Sequence, residues 1–196
     1  MERPLWEQTF MNMCKDIAKR SLCIKYQTSA LIVKGSQIAS FGYNGTASKK
    51  DECYSYWKKY YDNLQINDKN ICITKTRKRK KEQSNNKLTI RLIKKNKIPF
   101  DEWIKTQEFK DLHSKWSIIH EMHAEMNALQ WISKSDVDDT YSIYTYMSPC
   151  EQCAKHILAY GIKTLYYHIE YCGRIKGDIG GIEYLKNNDV KCIQII

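Results

Sequence analysis

The sequence predicts a layered α/β domain, and three observations carry that expectation. From about Trp116 onward, helical and extended patterns alternate strictly, which implies neighbouring strands that include parallel pairs. Ahead of them stand an amphipathic helical stripe and a hairpin pattern. The length of 196 residues suits one well-buried domain better than two.

Leu5 to Leu22 has apolar residues at Leu5, Trp6, Phe10, Met13, Cys14, Ile17 and Ala18, close to helical spacing, and is read as the first helix. Ala30 to Val33 and Ile38 to Phe41 flank the short turn Lys34-Gly35-Ser36-Gln37 and read as a hairpin. Gly42-Tyr43-Asn44-Gly45 ends the second strand and begins a loop. From about Asp51 to Lys110 the chain is rich in Tyr, Lys and Asn, with a helix expected near Asp101 to Ser114. This stretch is read as an insertion, at about 54–112, in a single domain spanning 1–196. After it come a helix from about Ile118 to Ser133, a strand Tyr141 to Met147, a helix Glu151 to Tyr160, a strand Lys163 to Ile169, a helix Ile179 to Asn187 and a strand Val190 to Ile195.

The net charge of +10 is local rather than general. Between Lys75 and Lys97 stand eleven Lys/Arg and one acid, Glu82, and the remaining residues carry twenty-one of each sign. Such a run reads first as a solvated face, with an electrostatic arm as the other reading. Tyr54, Tyr56, Trp57, Tyr60 and Tyr61 precede it, so they either stack the bases of a single strand or form a local core or subunit contact. Met1 to Arg20 has charged residues throughout and no apolar h-region, and no stretch approaches the roughly 20 apolar residues of a membrane span. The expectation is a soluble protein of a reducing compartment, the cytoplasm, whose eight cysteines are ligands or core fillers.

Chemistry concentrates in two motifs. His123-Ala124-Glu125 and, downstream, Pro149-Cys150-Glu151-Gln152-Cys153 offer one imidazole, two thiolates and one free carboxylate. Three ligands leave a tetrahedral Zn²⁺ with an open position, the mark of a catalytic rather than a closed structural site. Cys150 and Cys153 stand three apart at a helix start, with Pro149 suited to its first turn. The helix N-terminus and the metal both favour thiolate. His123 and Glu125 stand two apart, so one ligates while the other reaches beside the metal. Zn²⁺ lowers the pKa of water to about 7, and Glu125 is the candidate catalytic residue that moves its proton. The pattern H-x-E with P-C-x-x-C is the signature of zinc nucleobase deaminases.

With these residues the chain resembles the cytidine deaminase superfamily, and within it the deoxycytidylate (dCMP) deaminases of phage and viral type. The resemblance covers roughly 5–53 and 113–195. It rests on Gly42-Tyr43-Asn44-Gly45, His123-Ala124-Glu125-Met126-Asn127-Ala128, Ser148-Pro149-Cys150-Glu151-Gln152-Cys153-Ala154-Lys155 and Gly161-Ile162-Lys163. It implies a three-layer cytidine deaminase-like fold, a central mixed sheet of about five strands flanked by helices, with the basic stretch as an insertion. It implies hydrolysis of dCMP to dUMP and ammonia, supplying thymidylate synthesis. It also implies that Asn44 binds the sugar hydroxyl, that the backbone around Ala124 and Ser148 reads the base edge, and that Tyr171 lines the nucleotide pocket. From the residues alone, Asn44 equally suits a turn conformation between glycines, and Tyr171 equally reads as a surface tyrosine.

The chain departs from the family at Thr28-Ser29-Ala30, where Val-Gly-Ala is usual, and at Thr46-Ala47, where Pro often follows GYNG. The first departure places extra side-chain atoms near the expected pocket. The second falls in the loop that binds dCTP and dTTP in regulated relatives, the effectors the resemblance implies. Some phage-type members carry a second zinc, and the resemblance brings Cys23, Cys53, His113 and Glu121 onto its ligand positions. If 113–121 were one continuous helix, His113 would face His120 better than Glu121, so either the helix starts later or His120 is the ligand. The implied partners are the small-molecule nucleotide and further copies of the chain, a hexamer being common among relatives. Deamination of a base in RNA or single-stranded DNA, drawing on the basic stretch, and a zinc-stapled binding module without turnover are the alternatives.

Overall fold

The computed structural model describes residues 2–70, 98–171 and 180–196. The basic run Lys75 to Lys97 therefore lies outside the described residues. The chain forms two compact units, one of 1–47 with 121–196 and the other of 48–120.

The first unit is built on a five-stranded mixed sheet. Its strands are β1 (Ser29–Lys34), β2 (Gln37–Tyr43), β5 (Tyr141–Met147), β6 (Thr164–Ile169) and β7 (Lys191–Gln194), in the order β2-β1-β5-β6-β7. A two-stranded ladder of β3 (Gly45–Thr46) and β4 (Glu121–Met122) lies apart from it. β1 pairs antiparallel with β2 and with β5, while β5–β6 and β6–β7 are parallel. The parallel pairs are joined by α6 (Glu151–Tyr160) and α7 (Gly181–Lys186), because a parallel return requires a crossover. Together with α5 (Ala124–Leu129) these helices cover one sheet face, where Ala30, Ile32, Ile143, Leu165, Ala124, Leu129, Ile157 and Leu185 form the core. α1 (Trp6–Ala18) covers the other face, packing Phe10, Met11 and Cys14 on Leu31, Val33 and Tyr144. The unit thus has the three layers expected.

Several element boundaries differ from the sequence reading. The first helix stops at Ala18 rather than Leu22, and Met11 is fully buried on its inner face whereas Met13 is exposed. The helix expected over 118–133 is interrupted: Glu121 and Met122 pair with Thr46 and Gly45, which pulls the chain into extended backbone, and α5 begins only at Ala124. A two-residue ladder leaves no periodic signal, so the break is invisible in the pattern.

The second unit contains α2 (Cys53–Asn70), α3 (Phe100–Trp103) and α4 (Gln107–His120). α2 was not expected, because its residues are aromatic and charged rather than aliphatic. The single helix expected over 101–114 is two. Thr106 caps the second of these, its hydroxyl accepting from the Phe109 N–H at 3.2 Å. Trp57, Tyr61, Phe100, Trp103, Phe109 and Trp116 are buried together, with Trp103 and Phe109 centroids 4.9 Å apart, and Tyr56 stacks on Trp116 at 4.9 Å. Of the aromatic run preceding the basic stretch, Trp57 and Tyr61 therefore belong to a local core and Tyr56 and Tyr60 pack against it, while Tyr54 remains exposed.

Thr145, on β5, is fully buried and its hydroxyl has no hydrogen-bond partner among the described residues. Burying an unpaired hydroxyl costs about 1–3 kcal/mol. Thr145→Val is therefore expected to leave the denaturant midpoint unchanged or raise it, and a drop of more than about 1 kcal/mol would show that the hydroxyl has a stabilising partner.

Candidate active site and metal centre

The site forms where β5 ends and α6 begins, the edge at which α/β sheets gather ligands. Cys150 is the N-cap of α6, in extended conformation, and Cys153 lies in its first turn. Pro149 accordingly precedes the cap rather than entering the first turn, because the helix begins one residue later than that reading requires. His123 is likewise an N-cap, that of α5, at φ −73° and ψ 151°. His123 Nδ1 lies 3.2 Å from Cys153 Sγ and 3.5 Å from Cys150 Sγ, and the three donor atoms all lie within 4.8 Å of one another.

These separations fit a tetrahedral zinc. Bond lengths of about 2.0 Å to nitrogen and 2.3 Å to sulfur put ligand atoms roughly 3.5–3.8 Å apart. Nδ1, rather than Nε2, is the imidazole nitrogen that faces both sulfurs. With protons rather than metal among the donors, the Cys150 thiol is pulled down to about 4, first by a hydrogen bond from Cys153 and then by His123. His123 is pushed up to about 9 by its bond to Cys150. Cys153 moves upward, through its bond to Cys150 and its burial. Metal binding must then displace the protons on Nδ1 and Cys153, so affinity falls as pH falls.

Glu125, one residue into α5, is 5% exposed, and its carboxyl lies within hydrogen-bond reach of Cys153. Burial raises its pKa above the usual carboxylate value, and the neighbouring His123 partly opposes that shift. It is a buried carboxylate beside the His123, Cys150 and Cys153 donor cluster, which does not include it.

α5 is held in place by β2 and the loop after it. Asn127 Nδ2 donates to the Tyr43 carbonyl at 2.8 Å and Ser40 Oγ to the Ala128 carbonyl at 2.9 Å. A Cβ on Gly42 would meet Ala124 O at 2.5 Å and Ala128 N at 2.6 Å. On the cysteine side, a Cβ on Gly181 would meet Pro149 O at 2.1 Å, so α7 starts directly against the ligand loop. Sequence reasoning assigned none of these tethers. Gly42 and Asn127 stood inside the motifs, where spacing alone did not separate packing from catalysis.

Of the expected substrate residues, Asn44, Ala124 and Ser148 are buried and Tyr171 is half-buried. Asn44 accepts from the Thr28 N–H at 2.9 Å and donates to the Tyr26 carbonyl at 2.8 Å, so it braces the loop before β1. Its φ is not positive, which removes the turn-conformation reading. Ala124 is fully buried at the start of α5. Ser148 donates its N–H to the Ile169 carbonyl at 2.8 Å and accepts the Tyr171 N–H on Oγ at 2.7 Å. The Tyr171 ring meets Tyr26 edge-on at 6.1 Å. Of the departing residues, Ser29 turns its hydroxyl away from the site to the Cys14 carbonyl, at 2.5 Å, and Thr28 Oγ1 accepts the Met147 N–H at 3.2 Å. Both hydroxyls are engaged with backbone, that of Ser29 on the α1 side of the sheet and that of Thr28 directly beside the Ser148-Pro149-Cys150 segment.

The residues expected at a second metal lie in pairs. In the first unit Cys23 Sγ is 3.5 Å from Glu121 Oε2, and in the second Cys53 Sγ is 3.1 Å from His113 Nε2. The α4 helix ends at His120, whose exposed ring packs on Trp116 at 5.0 Å, and Glu121 is already in a strand. His113 and His120 lie in one continuous helix, so that helix does not start later as expected, and of His120 and Glu121 it is Glu121, just past the helix end, that stands beside an expected ligand, Cys23.

Comparison with known proteins agrees with this chemistry. The family described as "Cytidine and deoxycytidylate deaminase zinc-binding region" matches residues 4–169. The deoxycytidylate deaminases of Enterobacteria phages T2 and T4 are each 26% identical over 191 residues, covering 95% of this chain and 90% and 88% of theirs. A dCMP deaminase from the cyanophage S-TIM5, solved in complex with dCMP and dUMP, shares the fold with a TM-score of 0.57 at 22% identity, over the whole of both chains. The matched segment spans both zinc motifs and most of the sheet, and so the chain belongs to the cytidine and deoxycytidylate deaminase zinc-binding family.

Proposed function

We propose that this chain hydrolyses dCMP to dUMP and ammonia and so supplies thymidylate synthesis. The observation that carries the reading is the cluster of His123 Nδ1, Cys150 Sγ and Cys153 Sγ with the buried Glu125 beside it. The phage relatives support the choice of nucleotide. Zinc, when bound there, supplies the Lewis acidity that makes water acidic near neutral pH. Glu125 accepts a proton from the attacking water and delivers it to the ring nitrogen beside the carbon bearing the amine. It then passes the second proton to the departing amine, so that water and the amino group are exchanged with no net proton change. Its raised pKa suits a group that both takes and gives a proton. Ala124 and Ser148 read the base edge, Asn44 the sugar, and Tyr171 lines the nucleotide pocket. Since its N–H is engaged with Ile169, Ser148 acts there through its carbonyl.

The test is ammonia release from dCMP, dCTP, deoxycytidine and a cytosine-containing oligonucleotide, measured side by side. Fastest turnover of dCMP is expected. Equal or greater activity on the oligonucleotide would transfer the assignment to nucleic-acid editing, with affinity falling steeply in salt.

Cys23, Cys53, His113 and Glu121 hold a second zinc on this reading, supported by the two close pairs and by the resemblance to phage-type members. Metal analysis of protein never exposed to chelator is expected to give two zincs per chain, and a value of one would remove the second site. Homo-oligomers, hexamers among them, and control by dCTP and dTTP belong to the same proposal. Among the described residues no helix is long and apolar enough to cross a membrane, which is compatible with work in the cytoplasm, the host's if the source is viral.

A further inference from the structure

Hydrogen bonds beside the metal ligands join residues from three separate segments, and Thr28 stands at their centre. The ladder between β1 and β5 ends at Ala30 and Thr145, short of Met147. Past that point the Thr28 hydroxyl does what a β1 carbonyl would do and accepts the Met147 N–H, at 3.2 Å. The Thr28 backbone meanwhile grips Asn44 twice. Its N–H donates to Asn44 Oδ1 at 2.9 Å, and its carbonyl accepts the Asn44 N–H at 3.2 Å. Met147 leads directly into Ser148, which accepts the Tyr171 N–H on Oγ at 2.7 Å and donates its own N–H to the Ile169 carbonyl at 2.8 Å. The bonded run is therefore Asn44, Thr28, Met147, Ser148, Tyr171.

We propose that Thr28 is a positioning residue for the nucleotide, its hydroxyl fixing the distance between Asn44, at the sugar, and the Ser148 carbonyl, at the base edge. The assignment rests on the reading of the site given under Proposed function. Base and sugar are joined covalently, so the two protein groups that hold them work together only at one separation, and drift of either weakens the hold of both. The Met147 N–H needs an acceptor, and with the Thr28 backbone committed to Asn44 it is the side chain that supplies one. Ser29, the next residue, has its hydroxyl on the Cys14 carbonyl at 2.5 Å and cannot take over. Valine, usual at position 28 in the family, has no oxygen to accept, so this tie belongs to the present chain.

The experiment compares wild-type protein with Thr28→Val and Thr28→Ser on dCMP, with zinc content and thermal midpoint measured for each. Thr28→Val keeps the branched shape and removes the acceptor. Its KM is expected to rise about 3- to 10-fold, the worth of one hydrogen bond, with kcat and zinc content near wild type. Thr28→Ser keeps the hydroxyl and should restore most of the wild-type KM. A merely structural hydroxyl would lower the thermal midpoint or the zinc content and leave the KM of the loaded enzyme unchanged. That result, or a Thr28→Ser no better than Thr28→Val, would overturn the assignment. Wild-type protein that does not turn over dCMP would instead overturn the nucleotide reading itself, and the role of Thr28 with it.

Discussion

Glu125→Gln is expected to retain its zinc and lose turnover. The substitution keeps shape and volume and removes the one group beside the ligands that exchanges protons. His123, Cys150 and Cys153 would be engaged by metal, whereas the Glu125 carboxyl is buried against Cys153 and is not among the ligand donors. General acid–base transfer typically contributes about 10²- to 10⁴-fold, and here one carboxylate serves both transfers, so kcat should fall toward the upper part of that range. Zinc content by metal analysis and the thermal midpoint should stay near wild type, which separates loss of chemistry from loss of the site. Near-wild-type kcat in the zinc-loaded variant would mean that another group moves the protons.

The second large effect is expected at Gly42. A methyl group there meets three backbone atoms of α5 at 2.5–2.8 Å, Ala124 O, Ala128 N and Asn127 C. Backbone cannot rotate aside as a flexible side chain does, so β2 and α5 must separate. Overpacking of this kind costs about 1–3 kcal/mol, occasionally more. The consequence for activity should be larger than for stability, since α5 carries Glu125 and is capped by His123. A misplacement of about 1 Å at such groups is worth about 10²-fold in rate. Gly42→Ala should therefore show a lowered thermal midpoint and a kcat reduced about 100-fold. Gly45→Ala, in the same motif, is the matched control. No atom lies within 4 Å of a Cβ there and its φ is not positive, so it should fold with near-wild-type stability. Equal behaviour of the two variants would show that close approach is not what the first glycine provides.

The two glycines also show how the sequence was legible and where it was not. Read as letters, Gly42 and Gly45 are alike, two turn-forming residues around an asparagine. In the fold one is a contact surface for the catalytic helix and the other lies in a two-residue strand. Asn44 is similar: its place between glycines suggested a turn and the family resemblance a sugar contact, and in the structure its amide braces the loop that carries Tyr26 and Thr28. The boundaries of β5 and α6 agree with the sequence to the residue, because alternation and helical spacing are properties of neighbours along the chain. α2 escaped, since aromatic and charged residues with middling propensity need the surrounding Trp and Phe side chains to make them a helix.

The sequence by itself determined the chemistry and the layer order. Ligand types, the free carboxylate and the strand–helix alternation are each written within a few consecutive residues, where covalent spacing fixes which side chains share a face. Only the tertiary structure decided that Nδ1 is the imidazole nitrogen facing both sulfurs, and that β3 and β4 pair so that the helix expected before His123 stops ahead of Glu121. Those are distances between segments far apart in the chain, set by packing of α5 on β2 and of α7 on the cysteine loop, and no local periodicity records them.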